Sequence, residues 1–84
     1  WGINMNIAEK IKKYITESVS IQKKHLKNDE PLFTGGIIDS LGHIKLICFI
    51  EKEFGISIRM EEITVENFDT ISKISGFIKN KIGD

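Results

Sequence analysis

Cysteine, proline and net charge are all scarce in this chain, and each scarcity removes a class of explanation. Its 84 residues include one cysteine, Cys48, so no internal disulfide can form; a core must hold the fold, as suits a reducing compartment. Twelve basic and twelve acidic side chains cancel, so the overall charge gives no electrostatic footprint for nucleic acid. No apolar run approaches the roughly 18 residues that span a bilayer, and no signal-peptide pattern is visible. His25, His43 and Cys48 are scattered without metal-ligand company. Internal repeats and low-complexity stretches are absent. The lone proline, Pro31, falls in a passage that reads as loop, leaving long stretches free to be helical.

What is present fits one small domain. A chain this size buries about 60–65% of its unfolded surface, enough for a single core. Hydrophobic residues make up 40% and charged residues 29%, an ordinary globular mix. Residues 1–4 precede Met5 and read as a cloning remnant or alternative leader, leaving 5–84 as the domain. Ile7, Ile11, Tyr14, Ile15 and Val19 recur at helical spacing, which predicts a first amphipathic helix over 7–24. Lys10, Lys12, Lys13, Lys23 and Lys24 fall on its wet side, and His25 falls at its end. Residues 25–38 read as a loop through Asn28-Asp29-Glu30-Pro31 and Thr34-Gly35-Gly36. Its apolar Leu26, Leu32, Phe33 and Ile37 imply that it packs on the core. A second helix spans 40–54, with Gly55 at its C′ stop. Ile56-Ser57-Ile58 is too short for a sheet, and 60–64 reads as a single turn or short third helix. A last helix runs to about Lys81, capped by Thr70, with Ile71, Ile74, Phe77 and Ile78 inward; Gly76 within it costs about 1 kcal/mol relative to alanine. The expectation is an all-α four-helix bundle, three longer helices and one short, with a long first loop.

The second helix has two apolar stripes. At 100° per residue, Leu46, Ile47, Ile50 and Phe54 form one side, suited to the core. Leu41, Ile44 and Cys48 form another, descending from Ser40 and flanked by Lys45 and Lys52. The second stripe is either more core, if the helix is central, or an exposed contact surface. Cys48 within it reads as a small half-buried hydrophobe rather than a redox centre.

Ser40 stands where the loop Gly35-Gly36-Ile37-Ile38 runs into this helix, and three readings compete for it. Ser40 and Asp39 are both favoured N-cap types. A nucleophile would need a base and an oxyanion site; the Gly-x-Ser-x-Gly pattern fails because Ile38 stands two residues before Ser40, and His43 has no evident partner to orient it. The third reading is covalent modification by another enzyme: a hydroxyl at a helix N-terminus, presented but not activated, beside N–H groups that favour an anion.

Gly36-Ile37-Ile38-Asp39-Ser40-Leu41, the apolar Leu46-Ile47 with Ile50 behind it, and the ending Glu51-Lys52-Glu53-Phe54-Gly55-Ile56 together resemble the acyl, aminoacyl and peptidyl carrier protein family. Ile58, Glu62-Ile63 and Phe68-Asp69-Thr70-Ile71 resemble its short third helix and the entry to the fourth. The resemblance implies a non-catalytic carrier with a 4′-phosphopantetheine arm on Ser40, added by a phosphopantetheinyl transferase from coenzyme A and holding an acyl or aminoacyl group as a thioester. It implies as partners an adenylating ligase or acyltransferase that loads the arm, and downstream acyl-using enzymes that meet Leu41, Ile44, Lys45, Cys48 and Lys52. Asp39 is then either the N-cap partner or a contact for the transferase or its metal.

Fatty-acid carriers of this family are typically strongly acidic, whereas Lys45 and Lys52 interrupt that face here, leaving Glu51 and Glu53. The chain looks more like a discrete carrier of secondary metabolism or a D-alanyl carrier, acting as a cytoplasmic monomer without membrane insertion or nucleic-acid partner. Gly42 either lets a partner backbone approach or is tolerated at small cost. A non-modified helical interaction module with the same fold is the alternative.

Overall fold

In the computed structural model, residues 6–19 and 25–83 are described; the leader and Met5, and with them Lys23 and Lys24 of the expected first helix, lie outside that range. Four α-helices follow in order: α1 over Ile7–Tyr14, α2 over Ser40–Phe54, α3 over Val65–Phe68 and α4 over Ile71–Gly83, with no strand among the described residues. The all-α bundle expected from periodicity is the observed architecture.

Helix α1 starts with a reciprocal cap: Asn6 Oδ1 accepts from the Glu9 N–H at 2.8 Å, and Glu9 Oε1 from the Asn6 N–H at 3.2 Å. It continues as a π-helical stretch over Ile15–Val19, which periodicity did not predict. Ile11, Ile15 and Val19 are spaced by four, which drifts about 40° per step in a regular α-helix. The wider turn offsets that drift and keeps all three buried. Lys10 and Lys12 are half-buried rather than fully wet, and His25 is exposed and itself non-helical.

Nine side chains fill the centre: Ile11, Ile15, Leu32, Leu46, Ile50, Phe68, Ile71, Ile74 and Ile78 are fully buried. The core stripe of α2 behaves as expected at Leu46 and Ile50, with Ile47 and Phe54 packed at its margin. Tyr14 stacks on Phe49 at 4.1 Å and donates its hydroxyl to the Lys45 carbonyl, joining α1 to α2. The 60–64 segment resolves into a 3₁₀ turn at Met60–Glu62, and the short helix α3 lies beyond it, capped by the Thr64 hydroxyl. Glu62 accepts from the Arg59 N–H at 2.9 Å and pairs with Lys81 at 2.9 Å. Those two contacts hold its carboxyl below the ordinary range. Helix α4 begins as predicted, with Thr70 Oγ1 accepting from the Lys73 N–H, and runs two residues further than expected.

The long loop is pinned, as its apolar residues implied: Leu26, Leu32 and Ile37 are buried. Its anchor is Asp69, at the end of α3. Asp69 Oδ1 accepts from the Phe33 and Thr34 N–H groups at 2.9 and 3.0 Å, Oδ2 from the Thr34 hydroxyl at 2.7 Å, and its carbonyl from the Leu32 N–H at 2.6 Å. The Leu32 carbonyl in turn accepts from the Ile37 and Ile38 N–H groups, closing the turn directly ahead of Asp39. Gly36 makes this turn possible with φ of +76°, a left-handed conformation that glycine adopts without strain. Burial alone raises the Asp69 carboxyl, but the Thr34 and Phe33 hydrogen bonds and the charge of Lys73 outweigh it, so the net shift is downward.

Asp69→Ala leaves the part-buried Phe33 and Thr34 donors without their side-chain acceptor and is expected to cost about 3 kcal/mol in denaturant unfolding. Because the folded-state pKa of Asp69 lies below its unfolded value, its contribution is complete above about pH 5 and is lost as the pH falls through the unfolded and then the folded value. Asp69→Asn should therefore show a flatter loss of stability from about pH 5 downward than the unaltered protein; parallel acid curves would refute this role.

Candidate functional site at the start of the second helix

The turn closed by Leu32 delivers Asp39 in extended conformation, φ −89° and ψ −176°, immediately before α2. Asp39, not Ser40, is the N-cap: its Oδ1 accepts from the Gly42 N–H at 2.8 Å, and its carbonyl from the His43 N–H at 2.9 Å. Ser40 becomes the first helical residue, exposed, with its hydroxyl not consumed by capping. This corrects the N-cap reading of Ser40. The first N–H groups of a helix have no intrahelical partner, so Ser40 stands at a point where an anion is favoured.

His43 does not serve Ser40. Its ring is half-buried, packed on Phe33 at 4.1 Å and tilted toward Phe68 at 6.3 Å. Burial lowers its pKa, and its Nε2 is enclosed without a hydrogen-bond partner. A ring held this way is a packing element, as expected for a helix histidine in the absence of an orienting group.

Gly42 is buried rather than turned toward a partner. A Cβ there would lie 2.9 Å from Ile38 Cγ2, 3.2 Å from Asp39 Oδ1 and 3.4 Å from Val19 Cβ. The reading of a partner backbone approaching here does not survive: the loop and the π-helical stretch close on this turn of α2 and leave little room for a Cβ.

The second stripe of α2 is a surface. Leu41 is 60% and Ile44 61% exposed, and Cys48 is exposed instead of half-buried. Lys45 and Lys52 are exposed beside it. A cleft of about 300 Å³ lies next to the stripe, lined by His43, Ile44, Ile47, Cys48 and Ile63. No group of His, Cys, Asp and Glu among the described residues has metal-binding geometry.

The geometry of Ser40 fits a bulky phosphodiester: the hydroxyl is exposed, at a helix start, clear of the capping bond and unpaired with any base. The family profile described as "Phosphopantetheine attachment site" matches residues 9–78. The chain belongs to the phosphopantetheine-binding carrier proteins. It is 40% identical over 76 residues to the acyl carrier protein of Buchnera aphidicola subsp. Acyrthosiphon pisum (strain 5A), covering 90% of this chain and 92% of that one. Another acyl carrier protein, from Buchnera aphidicola subsp. Schizaphis graminum (strain Sg), is 34% identical, covering 90% and 94%. The D-alanyl carrier protein of Streptococcus pyogenes serotype M5 (strain Manfredo) is 39% identical over 46 residues, covering 55% and 58%. As a carrier of this family, the protein does no chemistry on its cargo; its cofactor is 4′-phosphopantetheine, added by a transferase, and it meets acyl-handling enzymes.

Four residues that contribute to this carrier's site were not legible from the sequence. Asp69 and Thr34 clamp the loop across 35 residues, a distance no local pattern reveals. Glu51 Oε2 accepts from the Ile58 N–H, so it ties down the connection instead of facing a partner. Ile63 lines the cleft from a segment read only as a turn.

Gly42→Ala tests the packing of this turn. Overpacking costs about 1–3 kcal/mol and the gain in helix propensity returns at most about 1 kcal/mol, so a net loss of up to about 2 kcal/mol is expected. A more stable variant in thermal unfolding would show that the turn has slack.

Proposed function

We propose that Ser40 carries the 4′-phosphopantetheine arm as a phosphodiester. The arm supplies a terminal thiol that holds an acyl or aminoacyl group as a thioester. The observation that carries this reading is the division of labour at the helix start: Asp39 caps α2, which leaves the exposed Ser40 hydroxyl available for substitution. The helix N-terminus favours the phosphodiester charge by roughly 0.3–1 kcal/mol. Asp39 fixes the backbone that presents Ser40 and stands as the adjacent contact for the transferase. Tethering raises the effective concentration of cargo at each partner's active site.

Leu41, Ile44 and Cys48, with Lys45 and Lys52 at their edge, form the surface that partners grip. Their exposure within about three and a half turns of Ser40 supports this: a partner must hold the carrier while the arm enters its active site. The loading enzyme is an adenylating ligase or an acyltransferase, and the cargo is an acyl or aminoacyl unit; the acyl carrier and D-alanyl carrier relatives support both cargo classes. The carrier acts as a cytoplasmic monomer, in keeping with its single, unpaired cysteine. Among the described residues no helix is long and apolar enough to cross a membrane.

Incubation with coenzyme A and a promiscuous phosphopantetheinyl transferase should add about 340 Da to the intact mass, the formula increment of the arm. The gain should vanish in Ser40→Ala, whose thermal unfolding stays within about 0.5 kcal/mol of the parent, as for an exposed residue that caps nothing. No gain in the unaltered protein would favour the unmodified interaction module. Leu41→Glu and Ile44→Glu should slow arm attachment at least about tenfold while changing stability by less than about 0.5 kcal/mol; unfolding of either variant would mark the stripe as core.

A further inference from the structure

The charge on α2 differs from what its composition implies. The helix carries two carboxylates and two lysines, besides His43, yet only the lysines are available on its outward face. Glu51 is half-buried and accepts from the Ile58 N–H at 2.8 Å. Glu53 pairs with Lys10 of α1 at 3.3 Å. At 100° per residue Glu53 projects on the far side of the helix from Leu41, Ile44 and Cys48; Lys45 and Lys52 fall within about 70° of that stripe's centre on one flank, and the half-buried Glu51 within about 55° on the other. Neither lysine forms an ion pair among the described residues, although Lys10, Lys13, Arg59 and Lys81 all do. In the connection that supplies Ile63 to the cleft, Arg59 is balanced by Glu61 and Glu62. A molecule with no net charge thus sets two exposed lysines against one half-buried, backbone-bonded carboxylate beside the largest exposed apolar side chains of α2.

We propose that the Leu41–Ile44–Cys48 stripe, with Lys45 and Lys52, docks a protein partner whose complementary face is an apolar patch rimmed by carboxylates. The inference rests on the carrier reading and gives its docking surface a sign. The apolar stripe supplies affinity through burial, and the lysines supply orientation and encounter rate. A partner with a basic rim meets like charges at both positions and is rejected.

Two synthetic amphipathic helical peptides test this, sharing one Leu/Phe stripe and flanked either by glutamates or by lysines. Binding is followed by amide chemical shifts and titration. The glutamate-flanked peptide should bind about tenfold more tightly at low salt and shift amides within 41–52, with the margin shrinking toward parity near 1 M salt, where the screening length is about 3 Å. Lys45→Glu with Lys52→Glu should reverse the preference, while Lys27→Glu with Lys79→Glu, at exposed sites elsewhere, should keep it; circular dichroism checks that both variants remain folded. Equal affinities, a preference that survives the first pair, or shifts confined to the groove around Lys10 and Lys13 would overturn the proposal. Arm attachment by mass on the same samples separates the two readings: modification without a peptide preference sinks only the acidic partner, and no modification of the parent sinks the carrier itself.

Discussion

The carboxylate of Asp69 organises the route to Ser40. A connection of the length seen between the first two helices would leave its end poorly placed if it were held by apolar contacts alone, because those are non-directional. Asp69 adds direction: its side chain and carbonyl take four donors from Leu32, Phe33 and Thr34, and the Leu32 carbonyl then closes the turn on Ile37 and Ile38. The residue is nearly sealed from water, which strengthens each of those bonds and makes their loss costly. The position of Asp39, and so of the serine after it, follows from a clamp seated at the end of a four-residue helix on the other side of the chain.

That clamp separates two tasks a single residue would otherwise share. A helix start needs an acceptor for its orphan N–H groups, and a modification site needs a free hydroxyl. Asp39 meets the first need, and Ser40, on the proposed reading, meets the second. Gly42 makes the arrangement possible by letting Ile38 and Val19 close on the helix without a Cβ between them. The same turn therefore combines a rigid, buried inner side with an exposed outer side.

Helix α2 carries the contrast along its length. Leu46 and Ile50 anchor it in the core, while Leu41, Ile44 and Cys48 stand in solvent beside an apolar cleft. Its carboxylates serve internal contacts to Ile58 and Lys10, leaving lysines at the outer edge. Formal charge counted along a helix is thus a poor guide to the field a partner meets, because paired and unpaired groups count alike in the total.

Much of the fold was legible in the residues themselves. Isoleucines at helical spacing, the caps Asp39 and Thr70, and the left-handed Gly55 set α2 and α4 nearly to the residue, since caps and periodicity act locally. The family was equally readable from Gly36 through Ile56, a contiguous motif within the residues 9–78 that the profile matches. The π-helical stretch, the burial of Gly42, the exposure of Cys48 and the placement of α3 were not readable. Each depends on which neighbour arrives from a distant part of the chain. The sequence alone determined that a serine would begin a helix in a small all-α carrier; only the tertiary structure decided that Asp69 would hold the loop and that Glu53 would pair with Lys10, because hydrogen bonds and ion pairs across 35 or more residues exist only once the core has closed.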